Sequence, residues 1–552
     1  MNLNALLAAV DETRLMAAVE AVCTGERLSN EAEKASFAAL EALYKDAGCE
    51  VRTEHHLGFV STPEAASLAV VGGEPLPCRT HSMTPSVTDL TAPLLYLPPD
   101  ALEEAAPEAI AGRIVLTDGL AMEPVVRTLE EKGASGVVFI TGRFIHNMIV
   151  SRTWGSPTPD TADHYVKIPA VSITLADGER LKAQLQTSPL QVVMTTRVWS
   201  RWTEIPVLVA EIAHPSGDFV MVTGHNDSWH LGAMDNASGN ACAVELARLF
   251  APLRERLRRG VRFVTWSGHS HGRYAGSTAY CDAHFEELAS HCVLNLNADC
   301  LGGRGASVMT ESPAMASTAA LARTALSEAA GVTDWRGCRY SRSCDQSFWG
   351  PGVPSLFSQV SEQPPFEGVA ADAFKRMFGS GRSGGFGYWW HSVEDTPDKL
   401  DPALLKRDTQ VFASALHHAL CDERLPLDVE RELLAFSQYL GEWEAKADGL
   451  LDFSAVREKL ARLKARTDAA KAMPPVAYNA FARKVLRELI PLEYVEGSPF
   501  SHDDALRAPP LPMLRGIDAM RAAPDEHTKN CWLIFLRRRL NRLSVGLGRA
   551  LD

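Results

Sequence analysis

Between residues 206 and 360 the chain alternates short apolar runs with segments of helical composition, and that alternation leaves few folds open. The runs VLVAEI, DFVMVTGHND, VRFVTWSGH, CVLNLNADC and SLFSQV have strand length, and Ala241 to Leu257 between two of them has helix length. Strands apolar along their whole length are buried on both faces, which requires a largely parallel sheet with helices on either side. An α/β fold with a mostly parallel sheet is the expectation.

The texture differs elsewhere. From about 90 to 204 come the β-rich runs LLYLP, GRIVLTDG, GVVFI, AVSIT and LQVVMTT around a helical patch, Met122 to Lys132, which predicts an inserted β-rich domain. Residues 1–89 supply N-terminal helices and the start of the main domain. One helical stripe runs through Leu6, Leu7, Val10, Leu15 and Val19, and a second from Phe37 to Tyr44 before the break at Gly48. The main, catalytic domain spans 205–424, and the strand-poor residues 425–552 predict a helical C-terminal domain. At 552 residues and 46% hydrophobic content the chain can bury several such units.

A net charge of −13 disfavours nucleic acid and anionic membranes, both of which need a concentrated basic face. A small-molecule or peptide substrate fits better. Eleven cysteines without close repeated spacing do not form a disulfide framework, and the N-terminus has neither the basic start nor the apolar run of a signal peptide. A cytoplasmic protein without a membrane span is expected.

The segment Gly224 to Gly239 follows a strand and opens a helix, so its polar groups stand at the carboxyl rim where open α/β sheets bind ligands. There His225 and Asp235 can share a divalent metal, with Asp227 orienting the imidazole from behind; the same residues also suit strand-end capping.

This segment resembles the GH-x-DSW-x-x-G-x-x-D-x-x-SG signature of the zinc aminopeptidase, glutamate carboxypeptidase II and transferrin receptor type of metallopeptidase-fold protein. The resemblance implies that His225 and Asp235 bind zinc, Asp235 bridging two ions. It extends to NLNADCLGG, whose Asp299 matches a ligand of the first ion, and to WWHSVEDTPDKLD, whose His391 matches a ligand of the second. Cys344 to Phe348 followed by Gly352-Val353-Pro354 resembles a loop beside the active site, and the inserted domain is similar to a protease-associated domain. The helical tail implies a homodimer, with the Leu-rich stretch Trp532 to Leu547 to bury.

The departure lies between Trp266 and Ser277. Where the peptidases carry W-x-x-E-E-x-G-L-x-G-S, this chain reads Trp-Ser-Gly-His-Ser-His-Gly-Arg-Tyr-Ala-Gly-Ser, with no glutamate and one extra residue. Counted from the left, the glutamates fall on His269 and Ser270; from the right, on Ser270 and His271. In the peptidases the first glutamate is the general base and the second a metal ligand. Histidine can take either role. Two arrangements follow: His269 or His271 joins His225, Asp235, Asp299 and His391 as a ligand, or one metal remains and a histidine is the base. If the two histidines alternated along a strand they would share a face.

Arg273, Arg339 and Arg342 are candidates to grip a substrate carboxylate. Tyr388, Trp389 and Trp390 follow the glycine-rich run from Gly381 to Gly387 and suggest aromatic walls, Trp390 above all, against the substrate. His55, His56, His146, His284 and His291 show no ligand spacing. The leading reading is a metal-dependent hydrolase of an amide or peptide-like C–N bond, using one or two divalent ions, zinc first and iron or manganese next. The rivals are a metal-dependent lyase acting on a small carboxylated substrate, and a non-catalytic binding protein on the same fold.

Overall fold

The structure is a computed structural model and describes residues 2–340, 344–378 and 385–552. The strands, in chain order, are β1 (Glu50–Val70), β2 (Pro75–Leu76), β3 (Arg79–Thr80), β4 (Val87–Tyr96), β5 (Ile114–Asp118), β6 (Gly136–Ile140), β7 (Ala170–Ile173) and β8 (Gln191–Ile212). They continue with β9 (Phe219–His225), β10 (Gly260–Trp266), β11 (Cys292–Asn297) and β12 (Ser355–Leu356).

Two parallel half-sheets share one long strand. The path is β12-β11-β9-β10-β8-β4-β5-β6-β7-β3, parallel from β12 to β10 and again from β4 to β7. The 22-residue β8 runs antiparallel to both β10 and β4, and the 21-residue β1 pairs with it along almost its whole length. The β1–β8 ribbon carries the chain out to the smaller half-sheet and back. β1 is absent from the sequence expectation because HHLGFVSTPEAASLAV contains a proline and an alanine pair and has no clean alternation. A bulge between Pro63 and Ala65 absorbs that irregularity.

The α/β expectation holds in the larger half-sheet, and its cause is visible in the cores. Val220 and Val222 of β9 and Phe263 of β10 pack against Ala241, Leu246 and Phe250 of the helix Gly239–Phe250. Their neighbours Met221, Val264 and Trp266 point the other way, onto Tyr280 and Leu288 of the helices Ala275–Ala283 and Phe285–His291. The N-terminal stripe is two helices, Leu3–Ala8 and Glu12–Val22. Asp11 caps the second by accepting the Thr13 and Arg14 N–H groups, which interrupts the periodicity, and Glu31–Asp46 makes a third. Beyond residue 425 the described elements are helical, ending with Glu526–Leu551.

Candidate metal centre

Because β9, β10 and β11 are adjacent and parallel, their carboxyl ends share one rim, and each delivers a chemically active residue to it. His225 ends β9, His269 lies three residues past β10, and Asp299 lies two past β11. Asp235 comes from the turn leading into the helix Gly239–Phe250, and His391 from the segment after residue 385.

Their atoms converge. His225 Nε2 is 3.1 Å from Asp235 Oδ1 and 3.6 Å from Asp299 Oδ1, and the other Asp235 oxygen is 3.0 Å from His391 Nε2. His225 Nδ1 donates to the Asp227 carbonyl oxygen (2.8 Å) and His391 Nδ1 to that of Asn147 (2.8 Å). A carbonyl only accepts, so in the neutral rings both Nε2 atoms carry the lone pair a metal needs. His225 Nε2, Asp235 Oδ1 and Asp299 Oδ1 are buried and have no hydrogen-bond partner among the described residues. Three orphaned buried atoms this close together fit a divalent cation.

The electrostatics agree. Burial disfavours charge on His225, yet the adjacent Asp235 and Asp299 carboxylates outweigh it and raise the imidazole well above its usual value. Burial likewise opposes charge on Asp235, but His225 and His391 hold its carboxyl well below the usual range. The site therefore favours positive charge. Asp395 supports it, accepting the Met234 and Asp235 N–H groups at 2.8 and 3.0 Å, while its burial and proximity to Asp235 push its own pKa up to about 7.

The two histidines of the divergent loop do different things. Past Trp266 the strand ends, Gly268 takes φ +81°, and Arg273 and Tyr274 are also left-handed, so strand alternation does not apply. His269 turns toward the rim. Its ring stacks on His225 with centroids 3.7 Å apart, and its Nδ1 is 2.7 Å from Asp345 Oδ2, leaving Nε2 for the cavity. One ligand atom from each of His225, His269 and Asp299 lies within 4.8 Å of the others.

His271 turns inward. It is wholly buried, with Nδ1 3.0 Å from Asp227 Oδ2 and Nε2 2.7 Å from Ser29 Oγ. Both nitrogens are engaged, which corrects the expectation of His271 as metal ligand or base. Asp227 is corrected too. Its carboxylate accepts the His269 and Ser270 N–H groups (3.0 and 2.6 Å) as well as His271, so it secures the loop and has no oxygen facing substrate. Its backbone carbonyl, not its carboxylate 3.8 Å away, orients His225.

The rim opens into a cavity of about 350 Å³, lined on one side by Asp235, His269, Asp299 and His391 and on the other by Met122, Val125, Ile149 and Leu506. Trp390 forms part of its wall and stacks on His391 with centroids 3.4 Å apart. Arg273 lines it, as do Arg376 and Arg507, which sequence reasoning missed. Arg339 does not. It is fixed against Glu493 and the Tyr494 ring, joining the C-terminal helices to the main domain, which corrects its assignment to substrate. Arg342 and residues 381–384 of the glycine-rich run lie outside the described residues. Asp345 stands in the loop that the sequence placed beside the site, without a role of its own; missed was the buried Arg27, whose guanidinium binds the Asn226, Leu231 and Gly232 carbonyls and holds the signature loop, since a lone arginine 198 residues upstream of His225 gives no sequence signal.

Residues 208–416 match the model of Peptidase family M28. Over that stretch the chain is similar to peptidase family M28. The aminopeptidase YwaD of Bacillus subtilis (strain 168) is 23% identical to this chain over 280 residues, 50% of this chain and 57% of that protein. Carboxypeptidase Q of Xenopus laevis is 28% identical over 142 residues, 22% of this chain and 28% of that protein. The chain thus spans about half the length, or less, of these relatives. Among solved structures, an aminopeptidase from Aneurinibacillus sp. strain AM-1 superposes with a TM-score of 0.54 at 20% identity, over 76% of this chain and 96% of its own. A peptidase M28 precursor from Shewanella amazonensis SB2B gives 0.58 at 18% identity, over 75% and 95%. At these identities the likeness is one of fold, and the matched segment contains all four of His225, Asp235, Asp299 and His391.

Proposed function

We propose that the chain is a metal-dependent hydrolase of an amide or peptide-like C–N bond, with His269 handling the proton that a glutamate handles in the peptidases it resembles. The observation that carries this reading is the convergence of three orphaned buried ligand atoms beside the His269–Asp345 pair. The aminopeptidase relatives support the reaction class.

A divalent ion such as zinc, held by His225, Asp235 and Asp299, would polarise the scissile carbonyl and acidify water. His269 accepts the water proton at Nε2, and Asp345 stabilises the resulting imidazolium at Nδ1. The water oxygen bonds to the carbonyl carbon, the C–N bond breaks, and the proton passes from Nε2 to the leaving nitrogen. The products are one amine and one carboxylic acid.

The reading favours one ion over two. His391 belongs to none of the clusters of three or more ligand-type side chains among the described residues, and of His225, Asp235 and Asp299 it pairs with Asp235. Elemental analysis by plasma mass spectrometry then gives about one equivalent per chain. A homodimer is supported by Ile534 and Val545, exposed on one face of the helix Glu526–Leu551, and light scattering against the 60.1 kDa chain mass checks it.

The deciding experiment incubates metal-replete protein with dipeptides and aminoacyl amides and identifies products by mass spectrometry. Paired amine and acid, abolished by a chelator and restored by zinc, is the expected result. An unsaturated product, or no turnover of any amide, overturns the proposal.

A further inference from the structure

One buried nucleophile at the rim has no part in the mechanism above. Cys300 follows Asp299, is 5% exposed, lines the cavity, and adopts φ +53°, a conformation that non-glycine residues rarely take. Its sulfur lies in a second cluster with Asp235 and Asp299, all three ligand atoms within 4.8 Å of one another.

A thiol packed against two carboxylate ligand atoms is placed to join them on a cation, because a coordinating thiol gives up its proton outright. The unpartnered His225 Nε2, Asp235 Oδ1 and Asp299 Oδ1 atoms show where a cation would sit. We infer that the Cys300 thiolate is a ligand of the same ion, completing a one-nitrogen, two-carboxylate, one-sulfur donor set. The inference rests on the metal-binding reading proposed above and goes beyond it, because a sulfur ligand selects softer ions, zinc or cobalt over manganese or magnesium.

The full-length apoprotein is titrated with cobalt(II) and its absorption spectrum recorded, alongside Cys300→Ser and, as a control for the other cavity-lining cysteine, Cys344→Ser. Cobalt held by protein gives visible ligand-field bands, and a cobalt–thiolate bond adds a near-ultraviolet charge-transfer band. The expected result is both features in the wild type and in Cys344→Ser, with only the charge-transfer band lost in Cys300→Ser. Ligand-field bands without charge transfer in the wild type, or a charge-transfer band that survives Cys300→Ser, overturn the sulfur ligand and leave the metal site standing. Absence of both features overturns the metal reading and the ligand with it. The wild-type spectrum alone decides whether sulfur binds if the serine variant fails to fold.

Discussion

Asp345 Oδ2 lies 2.7 Å from His269 Nδ1, and its other oxygen accepts a hydrogen bond from Ser277 Oγ at 2.9 Å. A fully buried carboxylate thereby fixes which histidine nitrogen faces the cavity. Asp345→Asn keeps the shape but loses the charge that stabilises an imidazolium, and His269→Gln removes the base. Each is expected to lower kcat by about 10²- to 10⁴-fold. Metal content, read by plasma mass spectrometry, should fall little in Asp345→Asn. Unchanged kcat in both variants would remove His269 from the proton-transfer role.

His271 separates a structural from a ligand role. With both nitrogens bonded, His271→Ala removes one of the two hydrogen bonds to Asp227 Oδ2 and leaves Ser29 Oγ without its imidazole partner, for a loss of about 1–3 kcal/mol in stability by urea unfolding. Metal stoichiometry in the fraction that folds should equal that of the wild type. His225→Ala should instead abolish stoichiometric metal. Metal loss in folded His271→Ala protein would contradict the inward orientation.

The sequence made the four scattered ligand candidates legible because they sit in motifs, although His225 and His391 are 166 positions apart. The roles of His269 and His271 were not legible. Their spacing suits a strand, but the strand stops at Trp266 and a left-handed Gly268 turns the loop, so only the folded backbone assigns one ring to the rim and one to the core. Arg339 failed for a related reason: its partners Glu493 and Tyr494 lie 154 and 155 residues downstream in a helical segment with no motif. The alternating apolar strands gave the larger half-sheet readily. The ribbon strand β1, only sparsely buried, left little hydrophobic pattern to read.

Asp395 acts through Asp235. Its two oxygens hold the Met234 and Asp235 N–H groups, and an asparagine can accept only through one atom. Asp395→Asn should weaken zinc affinity by about 10- to 100-fold in a competitive chelator titration, with the fold retained by circular dichroism. Wild-type affinity would show that Asp235 is placed without this support.

The ribbon docks on the main domain through His284, which lies 3.1 Å from Glu287 and 2.9 Å from Glu54 of β1. Glu287 and then Glu54 raise the imidazole from 6.5 to about 9, while both carboxyls are held below their usual range. A raised histidine stabilises the fold fully below its unfolded value, and that contribution is lost as pH climbs from 6.5 through about 9. The depressed carboxyls act in the opposite sense, contributing above their unfolded value of 4.5 and fading as pH falls below it. Differential scanning calorimetry of wild type and His284→Gln should show a Tm gap that is widest near pH 6 and closes by pH 10. A gap constant across that range would mean the cluster does not control docking.

Three arginines enter a cavity that also carries the apolar side chains of Met122, Met148, Ile149, Leu506 and Trp390. Among the described residues Arg273 Nε is buried without a hydrogen-bond partner and one N–H of that guanidinium goes to the Ala505 carbonyl, while Arg376 pairs with an exposed Asp100 at 3.5 Å. Apolar walls with guanidinium groups suit a substrate that pairs a hydrophobic side chain with a free carboxylate. A charged hydrogen bond of about 1.5–3 kcal/mol corresponds to roughly 10- to 150-fold in affinity, so Arg507→Ala and Arg273→Ala should raise KM by that order with kcat nearly unchanged. The comparison that isolates the carboxylate uses a peptide and its C-terminal amide. Wild type should prefer the free acid and the variants should lose the preference, whereas equal use of acid and amide by the wild type would show that these arginines bind something other than a substrate carboxylate.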